Sequence, residues 1–415
     1  MSARRRVESV LRKTFESYGY GEIQTPTFEN LELITAKSGA EITGHLYDFV
    51  DKSNRKLALR PELSAPTVRL YLNELKMRPK PRKLYYIENC FRYERTQKGR
   101  YREFWQAGVE LLGSSRPEAE AEVVALTVKC LENLGLKNYG LLIGNRGIFR
   151  AIFNHYNIAE AVQNNIFNLL DKENLADLLR YLNTVKMHQE ARDFLNLLGA
   201  RIDNRQNKNV VIGLLELENS LTEKTKKIIK PELDNFKEFL DMLKGFGVVN
   251  YEIDFLITRG LDYYTGMVFE IFAEGLGAQN QILGGGTYSL VKVFGGGDVP
   301  SCGFGFGFDR LMIALESQGM LPASAAGPRV FVVPESRKML NRAIEIVSEL
   351  RKEVSCELEL MGRKLGKALS YANSEEIPYV LIVSEDAEGD SVVLKNMRSG
   401  EQKTVGLREV IDEVG

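Results

Sequence analysis

Apolar residues at Val7, Val10, Leu11, Phe15 and Tyr18 recur three and four positions apart, which predicts an amphipathic helix from Arg4 to about Tyr18. The GYGEIQTPTF stretch behind it reads as a turn into an extended segment. Past the breaks at Pro79 and Pro81, LYYIENCF is dominated by β-branched and aromatic residues without helical phasing. It predicts a strand, paired across the TQKG turn with a second strand near Arg102 to Leu112. Helical phasing returns from Pro117 to Leu134, with acidic residues in the first turn, where the helix macrodipole favours them.

From about His155 to Pro231 the texture changes: Asn, Leu, Lys and Glu dominate, glycine nearly disappears, and apolar residues lie three and four apart. This predicts a helical insertion, followed by another helix around Glu232 to Leu243. Strand texture resumes at YEIDFLI and FEIFAE. Eleven of the 36 glycines then fall between Gly275 and Gly307, marking close backbone approaches at a site or in a tightly packed sheet. SAAGP, near Ala323 to Pro328, reads as a linker. Beyond it RVFVVP, CELEL, YVLIVS and SVVLKNM alternate with helical segments near Arg337 to Lys352 and Lys364 to Asn373, the pattern of a small α/β domain with a mostly parallel sheet.

At 415 residues, 27% charged and a net charge of −1, the chain has the composition of a soluble protein with two or three domains. No apolar run reaches the roughly 18 to 20 residues of a membrane span, and the basic start lacks an apolar stretch behind it, so no membrane partner and a cytoplasmic address are expected. Cys90, Cys130, Cys302 and Cys356 lie far apart and read as core thiols. His45, His155 and His188 are equally isolated, which points away from histidine acid–base or nucleophilic catalysis.

Charge changes the picture between Arg78 and Arg102, where nine basic residues face only Glu88 and Glu94. Alternation in FRYER and GRYREF puts arginines beside large aromatics, where a guanidinium wants a partner; phosphate is the leading candidate. GFGFGFDR, Gly303 to Arg310, alternates glycine with phenylalanine. Either Phe304, Phe306 and Phe308 simply fill a core, or the bare glycine face takes a flat ligand whose phosphates Arg310 reaches. In TRGLDYYTGMVFEI, Arg259, Asp262, Tyr263, Tyr264 and Thr265 supply more hydrogen-bonding capacity than a plain turn requires. Glu62, in LRPELSAPTVR, either caps the helix that follows, the favoured reading of that residue alone, or holds a cationic amine.

FRYERTQKGRYREFWQ, RGLDYYTG and GFGFGFDR, in that order and with a helical insertion before the second, resemble the histidyl-tRNA synthetases of aminoacyl-tRNA synthetase class II. The likeness spans nearly the whole chain. Arg92-x-Glu94 with Arg100 and Phe104 resembles the class II motif 2, Gly303 to Arg310 resembles motif 3, and RGLDYYTG is specific to the histidine enzymes. The resemblance implies an α+β fold: a six-stranded antiparallel catalytic sheet flanked by helices over residues 1–322, with the helical insertion at about 155–231, then an anticodon-binding α/β domain over 328–415. It implies a histidine–tRNA ligase that uses ATP with Mg²⁺, acts on L-histidine and tRNA(His), and forms a homodimer through the region around Pro26.

In that resemblance Arg92 holds the α-phosphate, Glu94 the adenine amino group, Phe104 stacks on adenine, and Arg100 and Arg310 hold the γ-phosphate. Histidine lies among Glu62, Leu63, Ser64 and Gln106 around its amino group and Glu110 and Tyr264 at its imidazole, with Tyr263 and Tyr288 nearby. Arg259 bridges the carboxylate and the α-phosphate, so Arg259 and Arg92 carry catalysis. Thr96 and Thr287 depart from the family, which more often shows Pro and Arg there. The Arg-Gly-x-x-Asp segment common ahead of the first helix is also missing, and weaker dimer contacts are expected. A second reading is the catalytically inactive, histidine-sensing regulatory subunit of ATP phosphoribosyltransferase. That protein typically lacks the terminal domain and an intact RGLDYYTG, and both are present in this sequence. The terminal domain holds 13 basic and 16 acidic residues, so phosphate neutralisation there falls to a local cluster such as Arg363, Lys364 and Lys367.

Overall fold

The computed structural model describes residues 2–36, 43–95, 99–171, 175–196, 214–219, 221–257, 263–276, 280–321, 327–385 and 391–414. They divide into two units, Ala3–Pro322 and Ala323–Gly415. Helix α1 (Ser2–Ser17) opens the first unit and buries Val7, Leu11 and Phe15, the stripe its spacing predicts. After β1 (Gly21–Glu22), the short strands β2 (Phe28–Asn30), β3 (Asp48–Val50) and β4 (Lys56–Leu59) make a separate antiparallel sheet in the order β2-β4-β3. Helix α2 (Ser64–Leu70) follows, then the expected hairpin of β5 (Arg82–Phe91) and β6 (Glu103–Leu112). Thr96 and the rest of 96–98 lie outside the described residues. Helix α3 (Pro117–Leu134) starts with proline in its first turn and ends at Gly135 with φ 78°, the left-handed stop that glycine tolerates.

The remainder of the unit comprises β7 (Tyr139–Asn145), α4 (Arg146–His155), the insertion helices α5 (Glu160–Asp171) and α6 (Leu175–Thr184), α7 (Glu223–Gly245), β8 (Glu252–Ile253), β9 (Tyr264–Ala273), β10 (Gln281–Tyr288), β11 (Ser301–Gly307) and α8 (Phe308–Ser317). The large sheet runs β1-β5-β6-β11-β10-β9-β7-β8. Its six inner strands are antiparallel throughout, as the resemblance implies, and β1 and β8 add two-residue parallel pairings at the edges. Phe304, Phe306 and Phe308 are buried in the main core, so the packing reading of the phenylalanines holds while the glycines serve the opposite face.

Three sequence expectations change. Pro231 does not bound a helix: α7 runs through it, because Thr225, Ile229, Leu233, Phe236, Phe239 and Leu243 all bury on one side. Burial at roughly 1.5–3 kcal/mol per large apolar side chain outweighs the roughly 3 kcal/mol that an internal proline costs. Of YEIDFLI only Glu252–Ile253 is strand, since the Asp254 carboxylate accepts the Leu256 N–H at 3.0 Å and turns the chain. The terminal sheet, in the second unit, is mixed rather than mostly parallel.

That unit contains β12 (Val330–Pro334), α9 (Leu340–Leu350), β13 (Cys356–Leu358), α10 (Leu365–Ser374), β14 (Tyr379–Val383), β15 (Ser391–Asn396), β16 (Gln402–Gly406) and α11 (Leu407–Val414). In the order β13-β12-β14-β15-β16, the two pairings of β12 are parallel and the two of β15 antiparallel. Residues 384–390 and 397–401 are too few for a helical crossover, so β15 and β16 return as hairpins. Among the described residues no helix is long and apolar enough to cross a membrane.

Candidate active site

The site is built on one face of four neighbouring strands. Period-two alternation puts Phe104, Gln106, Gly108 and Glu110 of β6 on that face. Register then places Tyr86 of β5 opposite Gly108, and Gly303 and Gly305 of β11 opposite Glu110 and Gly108. Glycine here is a spatial requirement: a Cβ at Gly303 would lie 2.1 Å from Glu110 Oε2 and 2.4 Å from the Val109 carbonyl. The Glu110 side chain therefore lies across β11 where any larger residue would stop it.

Two cavities share this floor. The outer, of about 170 Å³, is lined by Arg92, Glu94, Arg100, Tyr101, Phe104, Trp105, Gln281, Asp309 and Arg310. The inner, of about 60 Å³, is lined by Glu62, Ser64, Tyr86, Tyr263, Tyr264 and Tyr288. Arg92, Gln106, Gly284 and Gly305 line both and form the passage between them.

A buried arginine delivers the inner wall. Arg60, only 2% exposed, follows β4 and pairs with Glu88 Oε2 at 2.7 Å. It also donates to the carbonyls of Thr25 and Asn89 and to Asn89 Oδ1, at 2.7, 2.8 and 2.8 Å. Two residues on, the Glu62 carboxylate accepts the N–H groups of Ser64 at 2.6 Å and Ala65 at 2.9 Å. The helix-start reading of Glu62 is thus realised, and the same residue faces the inner cavity. Burial raises its pKa against these bonds and the pull of Arg92. Leu63 packs with Tyr86 and Cys90 and is not among the residues lining either cavity.

Glu110 sits behind the lining and is reached through hydroxyls: Ser64 donates at 2.6 Å, Tyr86 at 3.1 Å, and Tyr288 makes a short bond to the other oxygen. Burial dominates and pushes its pKa up to about 8; the hydroxyl donors oppose this and Glu62 reinforces it. Tyr263 packs tilted against Tyr264 at 4.9 Å and edge to face with Tyr288 at 5.7 Å between ring centres, giving the inner cavity an aromatic wall with polar tips.

In the outer cavity Glu94 is the counter-charge, 3.2 Å from Arg100 and 3.8 Å from Arg92. Arg92 is held by the Pro61 carbonyl at 2.9 Å and lies over the Phe104 ring at 5.2 Å, the pairing of guanidinium with aromatic that the alternation predicts. Arg310, in the first turn of α8, has its pKa lowered by burial and by Arg100. Asp309 is turned aside, accepting the Trp105 N–H at 2.9 Å and pairing with Arg4 at 3.4 Å. Three guanidinium groups thus converge on one small volume. The wider basic run does not: Lys83 pairs with Glu122 at 2.6 Å, and the Lys80 stem packs on Gly113.

The sequence-predicted residues Arg92, Glu94, Arg100, Phe104 and Arg310 come together in one cavity, and Glu62, Ser64, Gln106, Tyr263, Tyr264 and Tyr288 in the other. Arg259 and Asp262 lie outside the described residues. Tyr86, Trp105, Gln281 and Asp309 were not singled out from sequence. Strand alternation marks Tyr86 once its register with β6 is known; Gln281 carries no such signal. Among the described residues no three His, Cys, Asp or Glu side chains converge as a metal cage.

A family model described as histidyl-tRNA synthetase matches residues 1–311, and one described as an anticodon binding domain matches 329–415. The histidine–tRNA ligase of Methanosarcina acetivorans is 44% identical, over all of this chain and 95% of that protein. The apo histidyl-tRNA synthetase of S. aureus superposes with a TM-score of 0.73 at 26% identity, covering 99% of this chain and 95% of that one. A Bacillus halodurans protein described as an ATP phosphoribosyltransferase regulatory subunit/histidyl-tRNA synthetase superposes with a TM-score of 0.69 at 24% identity, covering 89% and 92%, a likeness of fold alone. With a matching family model over three quarters of its length and a full-length relative well above 30% identity, the chain belongs to the histidyl-tRNA synthetase family.

Proposed function

We infer that the protein activates L-histidine with ATP and transfers it to the 3′ end of tRNA(His). The observation that carries this reading is the shared passage: Arg92 and Gln106 line an arginine-rich outer cavity and a carboxylate- and tyrosine-lined inner one at once. A ligand in each would meet there. Histidine occupies the inner cavity, its ammonium near Glu62 and Ser64 and its imidazole toward Glu110 and Tyr264. ATP occupies the outer cavity, with adenine at Phe104 and Glu94 and the triphosphate among Arg92, Arg100 and Arg310.

The histidine carboxylate oxygen attacks the α-phosphorus, the bond to the bridging oxygen breaks, and pyrophosphate leaves. Positioning and neutralisation of charge by arginine suffice, and no protein nucleophile is needed. The terminal ribose hydroxyl of tRNA then attacks the adenylate carbonyl and AMP departs. Mg²⁺ would be held mainly by the nucleotide's own phosphates, with Glu94 and Asp309 as the carboxylates lining the outer cavity, and would supply neutralisation of phosphate charge there. Arg259 is assigned to the junction of carboxylate and α-phosphate.

Residues 1–322 constitute the catalytic domain in this reading, with the helical insertion at about 155–231, and 328–415 the anticodon-binding domain. The protein acts in the cytoplasm as a homodimer. Support for the dimer is one face of the small sheet, where the exposed rings of Phe28 (53% exposed), two residues beyond Pro26 in the chain, and Phe49 (41%) of β3 meet. The test is histidine-dependent exchange of pyrophosphate into ATP. Exchange is expected; well-folded protein without it would favour the regulatory-subunit reading. Arg259→Ala should slow adenylate formation far more than it weakens histidine binding, and an unchanged rate would remove Arg259 from the mechanism.

A further inference from the structure

Arg150 stands on α4, outside both cavities, yet it ties the insertion to the wall of the inner one. Its guanidinium donates to Gln163 Oε1 and to Asn164 Oδ1, both on α5 and both at 3.1 Å. It also donates to the backbone carbonyl of Tyr264 at 3.5 Å. Gln163 is 2% exposed, and its amide nitrogen already donates to Asn154 Oδ1 and to the Ile158 carbonyl, each at 2.8 Å. The amide therefore cannot flip without losing both bonds, so its oxygen is held toward Arg150. Phe167 of α5 completes the clamp beneath Arg146 and Arg150, at 4.0 and 5.3 Å from its ring centre.

At the far end of this clamp, Tyr264 is the first residue of β9, lines the inner cavity and pairs in register with Tyr288. Tyr263 contacts both rings. A displacement of the Tyr264 backbone consequently moves the whole aromatic wall, while the outer cavity is built from the connection between β5 and β6, from β6, β10, β11 and α8, and has no member of this chain of contacts.

We propose that Arg150 is a positioning residue for the histidine site, transmitting the seating of insertion helix α5 to the Tyr263–Tyr264 wall. The assignment rests on the proposed activity. It explains why a planar fork with several donors occupies this place, since a lysine ammonium cannot hold two side chains and a carbonyl in fixed directions.

The test measures KM for histidine and for ATP separately in pyrophosphate exchange, with the full chain. Arg150→Met keeps the bulk and removes the donors; KM for histidine should rise about 3- to 10-fold while KM for ATP stays within about twofold. Arg150→Lys should restore part of the difference. Gln163→Met, which leaves β9 untouched, should shift KM in the same direction by less. An unchanged histidine KM in a folded Arg150→Met variant, or equal rises for both substrates, overturns the assignment. Should that variant fail to fold, flat values in Arg150→Lys and Gln163→Met overturn it equally. A parent without histidine-dependent exchange refutes the activity itself, whereas an active parent with a flat series refutes only the role of Arg150.

Discussion

The Ser64 hydroxyl, in the first turn of α2, donates to Glu110 Oε1 of β6 at 2.6 Å, joining residues 46 positions apart beneath the inner cavity. Ser64 is placed by the Glu62 carboxylate and the Arg60 anchor, and Glu110 by the glycine opposite it on β11. Neither residue has this role in its own strand or helix. Together with Tyr86 and Tyr288 they make a buried acceptor ringed by hydroxyl donors, suited to select a heterocycle with one donor and one acceptor.

Glu110→Gln tests that selection. The amide keeps the shape but replaces one carboxyl oxygen by an NH2 donor among the hydroxyls of Ser64, Tyr86 and Tyr288, which already donate to Glu110, and a buried polar group left without its partner costs roughly 1–3 kcal/mol. The KM for histidine should rise about 10- to 100-fold with KM for ATP little changed. Steady-state pyrophosphate exchange at varied histidine decides it, and a parallel rise in both constants would place Glu110 outside the selecting group.

Stability should fall with rising pH because of Glu120, a buried α3 carboxylate that takes a short bond from Thr287. Burial pushes its pKa from 4.5 up to about 7, helped by Glu232 and opposed by the Thr287 hydroxyl. The folded pKa exceeds the unfolded one, so the folded state binds the proton more tightly. The associated stability is fully present below about pH 4.5 and is lost as pH rises through about 7, up to about 3 kcal/mol. Glu120→Gln should flatten this part of the profile in urea unfolding between pH 5 and pH 8. A parent slope preserved in the variant would assign the effect elsewhere.

Arg60→Ala should be among the most destabilising single changes in the first unit. It strands Glu88 without its cation in a buried place and removes the donors to Thr25 and Asn89, a loss of about 3–5 kcal/mol. Chemical denaturation reads the magnitude. A loss under about 1 kcal/mol would mean the pair contributes no more than an exposed one.

Phe28→Arg combined with Phe49→Arg puts two charges on the exposed face of the small sheet, where the rings meet edge to face at 6.4 Å. If that face joins two copies, the parent sediments as a dimer and the variant as a monomer with its melting transition nearly intact. An unshifted sedimentation coefficient would exclude this sheet from the interface.

Much of this protein is legible along the chain. Periodicity yields α1, the β5–β6 hairpin and α3 nearly to the residue, because helix and strand repeats are local and each element buries one continuous face. The motifs also name the cavity residues Arg92, Glu94, Arg100 and Arg310, since arginine-rich alternation and a Gly-Phe strand are written in neighbouring positions. Tertiary structure alone decides which of the nine basic residues from Arg78 to Arg102 reach the outer cavity and which, like Lys83, find a carboxylate elsewhere. It also decides that α7 passes through Pro231, that β15 and β16 turn back antiparallel, and that Arg150 reaches Tyr264. Such outcomes depend on register and on competition between burial and local preference across distant segments, and no window of neighbouring residues contains both sides of that competition.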